Sequence, residues 1–345
     1  MATVLRPLIP GPTRLVSYHM AYDALGSQCD PSYTLSVDTR TARPPPNKVS
    51  SQAISPPDTP SWSRITRARI CSGRSVGSRD MQRSTASGRP RHSCVYPPGP
   101  RRSDSSATRA APSRRSGGAE IAPRYAPELN IVGAAAGGLP VDLAHNLPYI
   151  DGSAKWAGGD PPALVVAYQR TYDLDTSSFL SPRGEQVTKA VSAECISQFA
   201  SKYPGLTSAS MVVPPYTGLL DVPGVVRAIN DNIMGSQGTP RTKMFLAVGH
   251  YNAIGDTLMV TGDVIGLANE YCSRGVDVTY QQLNGLTHQE AFLPFEPLAA
   301  EYLTERFTGI PTRSNCATLP RGNSLAPLPV PLTPQTAGSP ACGHR

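Results

Sequence analysis

Apolar and polar positions follow two different periods in the C-terminal two thirds of the chain. Continuous apolar runs predict strands near residues 130–134, 243–249 and 276–281. Helical spacing of apolar residues predicts helices at 163–172, 184–203, 222–234 and 260–274, and a final helix that ends at Phe307. Strands and helices that alternate at this spacing indicate a parallel α/β sheet.

Residues 41–118 interrupt this pattern. They contain 15 Lys and Arg against 3 Asp and Glu, so the formal net charge of +7 comes entirely from this segment. The segment also holds 16 Ser and 11 Pro but no Leu, Phe or Glu. So few apolar side chains cannot offset the entropy lost on ordering, and we expect a disordered basic segment.

The two ends of the chain are unlike each other. Residues 1–40 have a globular composition, whereas residues 317–345 hold six prolines and predict an extended tail. The division expected is therefore 1–40, 41–118, 119–316 and 317–345. No apolar run is long enough for a membrane helix, and the first residues lack the basic start and apolar stretch of a signal peptide. As written, the chain predicts a cytoplasmic location.

Four of the seven cysteines lie in foldable sequence. Cys29, Cys195, Cys272 and Cys316 show none of the close spacings that build zinc sites, so no metal site is expected. Spacing alone leaves two interpretations open. They are either buried thiols of a cytosolic protein or two disulfides of an exported one.

Two polar residues follow predicted strands, where functional side chains of an open parallel sheet gather. Asp256 comes shortly after the strand at 243–249, and His288 shortly after the strand at 276–281. The order Asp then His on successive strands is that of the orienting acid and general base of an α/β-hydrolase triad. Spacing alone also allows a turn aspartate and a helix-capping histidine.

Several segments resemble the secretory lipase family, whose type member is a fungal lipase A. These are residues 125–138, 231–235, 246–249, 255–260 and 285–288, together with 15–23 and 29–33 near the N-terminus. The resemblance implies an α/β-hydrolase with a helical cap at about 145–240. It also implies a secreted or cell-envelope carboxylic ester hydrolase of triacylglycerol lipase type, acting in lipid catabolism on lipid or ester substrates without a metal or organic cofactor.

The resemblance also implies roles for individual residues. Asp256 and His288 become the acid and base of the triad, and the backbone N–H of Asp23 becomes an oxyanion donor. The implied disulfides are Cys29–Cys195 and Cys272–Cys316.

We identify no nucleophile in this chain. The family places its serine in a Gly-x-Ser-x-Gly turn ahead of residues 126–129. Ser116 is the nearest candidate considered, but no strand precedes it and it stands only four residues before Glu120. We therefore expect the N-terminal part of the sheet to be disrupted and the chain to be inactive as written.

A shift of reading frame explains the missing elements. Codons permitted for residues 106–111, read from the third base, encode Gly-Tyr-Ser-Gly-Gly, and the same offset permits family-like motifs from residues 64–68 and 79–85. We therefore interpret residues 40–117 as a frame-displaced translation. The alternative is a non-enzymatic chain whose disordered basic arm binds nucleic acid or another polyanion. Nucleic acid is the weaker interpretation, because Trp62 and Tyr96 are the only aromatic residues there. Nothing in the sequence indicates the oligomeric state.

Overall fold

The computed structural model describes residues 25–29, 118–153 and 157–332, and in addition the backbone of two short strands. These strands, β1 (Thr3–Val4) and β2 (Arg69–Ile70), pair antiparallel as a separate two-stranded sheet. Most of the predicted fragment 1–40 and of the basic segment 41–118 lies outside the described residues. The division of the chain into domains stays a prediction.

Three parallel strands form the central sheet. They are β3 (Ala134–Gly137), β4 (Met244–His250) and β5 (Val278–Asn284), in the order β3-β4-β5. Ala134 lies beside Met244, which in turn lies beside Val278. The type and succession of these strands agree with the sequence pattern.

The first strand of this sheet begins later than the pattern predicts. The apolar run at 130–134 leads up to the strand, and the ladder begins at Ala134, whose N–H donates to the carbonyl of Lys243 at 3.0 Å. Ile131 is 38% exposed, and a Cβ on Gly133 would lie 2.5 Å from Cγ of Arg306. Residues 130–133 therefore lead into β3, with Gly133 placed against the side chain of Arg306, and they do not form a buried strand.

Helices occupy the region between β3 and β4. Helix α1 (Gly118–Tyr125) precedes β3. The described residues between β3 and β4 form α2 (Leu143–Ile150), α3 (Asp160–Tyr172), α4 (Pro182–Val191), α5 (Ile196–Phe199) and α6 (Pro223–Asp231). Their apolar residues build a core of their own, with Phe179, Met211 and Leu219 almost fully buried. This core lies within the range expected for the cap.

The predicted single helix at 184–203 is wrong, because α4 and α5 are two separate helices. The carbonyl of Glu194 accepts the N–H groups of Leu25 at 2.9 Å and Gly26 at 3.2 Å. Cys195 is extended, with φ −84° and ψ 156°, and forms a disulfide with Cys29. A continuous helix could not offer these groups to the N-terminal segment.

The two faces of the sheet are covered by different helices. Alternate residues of β4 point to opposite faces. Leu246 lies in one core with residues of α7 (Thr261–Ser273), whereas Phe245 lies in another with residues of α8 (His288–Thr308). The helix predicted at 260–274 and the final helix ending at Phe307 match these two elements closely.

A strap of residues 319–332 follows α8 and has no regular secondary structure. The N–H of Asn323 donates to the carbonyl of Gly262 on α7 at 2.8 Å. Farther along, Leu328 and Asn230 of α6 exchange two hydrogen bonds at 2.8 and 2.9 Å. The described part of the predicted tail is therefore extended, as expected, but it lies against α7 and α6 and does not project away from the fold.

Both disulfides implied by the family resemblance are formed. Cys29–Cys195 ties the segment 25–29 to the start of α5, and Cys272–Cys316 ties α7 to the residues that precede the strap. Among the helices in the described ranges, none combines the length and apolar character needed to span a bilayer.

Candidate functional site

Asp256 lies in the loop between β4 and α7 and is fully buried. Its Oδ1 accepts the backbone N–H of Leu258 at 3.0 Å and that of Met259 at 2.6 Å. Its own N–H donates to the carbonyl of Met259 at 3.0 Å. The turn therefore fixes one carboxylate oxygen and leaves Oδ2 facing a different partner.

That partner is His288, the first residue of α8. His288 Nδ1 lies 2.9 Å from Asp256 Oδ2, and the backbone N–H of His288 donates to the carbonyl of Asp256 at 2.6 Å. The His288 side chain is 25% exposed, whereas that of Asp256 is 0% exposed. When Asp256 accepts the Nδ1 proton, the lone pair of Nε2 is free to act as a base.

Glycines bring the ends of β3 and β4 close to this pair. Gly138, at φ +58°, follows β3, and a Cβ there would lie 2.7 Å from Cε1 of His288. A Cβ on Gly249 would lie 2.8 Å from Cβ of Asp256. The consecutive glycines after β3 signal a tight turn in the sequence, but their contact with the imidazole was not predicted.

A capping box fixes the start of α8. Thr287 is the N-cap, and the Glu290 carboxylate accepts its N–H at 2.9 Å and its hydroxyl at 2.7 Å. These hydrogen bonds lower the pKa of Glu290. The capping box sets the direction from which the His288 ring leaves the helix.

The other predicted site residues are not brought to this pair by the described structure. Asp23 and Ser116 lie outside the described residues, so the oxyanion role of Asp23 stays a prediction. Within the described ranges, no group of three His, Cys, Asp or Glu side chains could hold a metal ion.

The expectation that the chain offers no candidate nucleophile overlooks one literal match. Residues 73–77, GRSVG, fit Gly-x-Ser-x-Gly with Ser75 at the centre, and they lie outside the described residues. A nucleophile strand in a parallel sheet is buried on both faces and apolar throughout. Arg64, Arg67 and Arg69 stand ahead of Ser75 instead, and β2 pairs with β1. The sequence ahead of the match therefore lacks the apolar pattern of a nucleophile strand.

Comparisons with known proteins point in one direction. The family model described as secretory lipase matches residues 112–315. A Mycobacterium tuberculosis protein named as a probable inactive lipase is 27% identical in an alignment of 342 positions, which covers 90% of this chain and 70% of that protein. A secreted triacylglycerol lipase of Malassezia furfur is 22% identical over 58% of this chain and 53% of its own length.

A solved structure supports the fold. The crystal structure of Candida antarctica lipase A in its closed state has a TM-score of 0.66 at 19% identity. The match covers 95% of this chain and 78% of that one. It confirms the predicted α/β-hydrolase fold, of which the described residues form a small open parallel sheet with its helices.

Proposed function

Because the chain belongs to the secretory lipase family, we propose that it derives from carboxylic ester hydrolases of triacylglycerol lipase type. In this proposal Asp256 and His288 are the acid and base of the site. The observation that carries it is the 2.9 Å contact between His288 Nδ1 and Asp256 Oδ2, at the ends of adjacent parallel strands inside the matched region.

In a complete site these two residues act on a serine nucleophile. Asp256 holds the imidazole with Nε2 outward, and Nε2 takes the serine proton as the hydroxyl oxygen attacks the ester carbonyl. The same nitrogen then protonates the leaving alcohol. Water repeats the sequence on the acyl-enzyme and releases the carboxylic acid. Backbone N–H donors, including that of Asp23 by family resemblance, stabilise the oxyanion.

We propose further that the chain as written does not hydrolyse esters by this route. Loss of the serine from such a triad costs several orders of magnitude in rate. Ser75 matches the pentapeptide, but arginines replace the apolar strand that should precede it. A frame-displaced segment at 40–117 accounts for both features. Compensating insertions or deletions in the coding DNA near codons 40 and 117 are the expected finding.

An assay on a p-nitrophenyl ester tests the proposal with the full chain. We expect equal background rates for the chain and for His288→Ala, Ser75→Ala and His145→Ala. His145 is the matched control, because its Nδ1 also lies 2.8 Å from a buried aspartate, Asp263, and neither residue is the proposed acid or base. Turnover abolished by His288→Ala and Ser75→Ala, but kept by His145→Ala, would show that Ser75 is a working nucleophile.

Restoring the displaced frame gives the complementary test. The restored chain should hydrolyse the ester, and both His288→Ala and Asp256→Asn should remove that activity. A restored chain without activity would overturn the assignment of Asp256 and His288 to an ester hydrolase site.

We propose an exported location for the folded chain. Two disulfides among the described residues need an oxidising compartment to persist. The name of the Malassezia relative describes a secreted enzyme. Both cysteine pairs protected from alkylation in protein recovered outside the cell would support this location, and free thiols in cytosolic protein would contradict it.

A further inference from the structure

The residue that follows Asp256 has an unusual backbone conformation. Thr257 has φ +86°, in the left-handed region that β-branched residues rarely adopt. The turn folds the N–H groups of Leu258 and Met259 back onto Asp256 Oδ1. Such conformations persist only where surrounding groups hold them.

One side chain of α2 holds this residue directly. The hydroxyl of Tyr149 accepts the backbone N–H of Thr257 at 2.9 Å and lies 3.2 Å from Asn252 Oδ1, to which it donates. Asn252 Oδ1 in turn accepts the N–H groups of Ile254 and Gly255 at 2.9 and 3.0 Å. The Tyr149 hydroxyl therefore joins the start of the loop to its strained residue.

A second side chain of α2 holds the far side of the turn. Buried Asn146 donates from Nδ2 to the carbonyl of Leu258 at 2.7 Å. The two α2 side chains thus contact the backbone on either side of the left-handed residue. Both are more than 100 residues away from the turn in sequence, at separations of 108 and 112.

We propose that Tyr149 is a positioning residue for the pair formed by Asp256 and His288. The proposal rests on the proposed function, because it assigns Tyr149 a role in orienting that acid and base. Without the hydroxyl, the peptide N-terminal to Thr257 loses its acceptor and the residue relaxes toward an ordinary conformation. The two N–H groups then leave Oδ1, the carboxylate rotates, and Oδ2 moves away from Nδ1.

Tyr149→Phe removes only the hydroxyl, and Tyr172→Phe is its matched control. The Tyr172 hydroxyl also makes two hydrogen bonds, donating to Asp231 and accepting from Asn232, but Tyr172 packs against the core of the helices between β3 and β4. The NMR resonance of the His288 Nδ1 proton, assigned by its loss in His288→Ala, reports the bond to Asp256. Amide exchange of Leu258 and Met259 reports the turn.

We expect the Nδ1 resonance to be lost in Tyr149→Phe and kept in Tyr172→Phe. Exchange of the two amides should accelerate about tenfold or more in Tyr149→Phe and change by less than about twofold in the control. Unchanged resonance and exchange in a folded Tyr149→Phe chain would overturn the proposal.

Rescue by Thr257→Gly separates positioning from a general structural role. Glycine adopts positive φ without the steric cost of a side chain. The double variant Tyr149→Phe with Thr257→Gly should therefore regain the Nδ1 resonance and slow amide exchange, and it carries the test if Tyr149→Phe alone does not fold. Absence of rescue overturns the proposal. These readouts do not depend on ester turnover, so an inactive restored-frame chain overturns the proposed function without altering this result.

Discussion

The two faces of the central sheet differ in how completely they are covered. Helix α7 buries eight of its 13 residues, including Val264, Leu267 and Tyr271, against one face. Helix α8 has 21 residues and buries only Ala291, Tyr302 and Arg306. The α8 face nevertheless carries many apolar residues that are only half-buried.

This difference separates the two members of the candidate site. Asp256 belongs to the loop that leads into α7 and is held by α2, whereas His288 begins α8. The acid therefore rests on the well-packed side of the sheet and the base on the thinly packed side. In the described residues β3 is an edge strand, and α8 crosses the face next to that edge.

We expect the largest loss of stability from removing the disulfide that is anchored on α7. The disulfide Cys272–Cys316 joins residues 44 apart, and a loop of this length predicts about 4 kcal/mol of stabilisation. The double variant Cys272→Ser with Cys316→Ser should lower the free energy of unfolding in urea by that amount. The difference from the unmodified chain should vanish in reductant. A difference that persists in reductant would assign the loss to packing and not to the cross-link.

Leucine truncation compares the two faces directly. Leu267 on α7 is fully buried, so Leu267→Ala should cost about 3 kcal/mol through lost transfer energy and a cavity. Leu298 on α8 is half-buried, so Leu298→Ala should cost about 1 kcal/mol. Urea unfolding of both variants gives the comparison. Equal losses would show that α8 is as well packed as α7.

Two apolar runs show which strands the sequence could predict and which it could not. The run at β4 is buried along almost its whole length, so its apolar pattern marks the strand directly. The run at 130–134 has the same pattern, but Gly133 is placed against Arg306 and the strand begins afterwards. A sequence pattern shows which residues are apolar, but it does not show which part of the fold packs against them. For the same reason the break between α4 and α5, fixed by Cys195, was not predicted.

Within the candidate site, the order of residues and strands along the chain predicts which side chains meet. It does not predict the tertiary contacts that hold those side chains in place. Asp256 and His288 each follow a strand, and parallel strands end at one edge of a sheet, so their proximity could be expected. The contact of Tyr149 with Thr257 spans 108 residues and has no motif. Ser75 is the opposite case. Its motif is visible in the sequence, but the apolar strand that should precede a nucleophile is not.

We expect the smallest effects on stability from two carboxyl groups, one buried on α7 and one exposed on α8. Burial raises the pKa of Asp263 on α7 above its ordinary value of 3.8, although Asn323 of the strap and His145 of α2 oppose the shift. Asp142 of α2 adds to the rise. On α8, hydrogen bonds from Thr287 lower the pKa of exposed Glu290 below its ordinary value of 4.5.

The two shifts predict opposite dependences of stability on pH. A raised pKa means that folding favours the protonated form, so the Asp263 contribution is lost as pH rises from 3.8 through the raised value. Asp263→Asn should therefore match the unmodified chain in acid and be more stable at neutral pH. A lowered pKa favours the ionised form, so Glu290→Gln should be slightly less stable at neutral pH, with the difference shrinking as pH falls below 4.5. Urea midpoints across this pH range measure both, and a loss of stability at neutral pH in Asp263→Asn would show that its hydrogen bonds to α2 and the strap outweigh its burial.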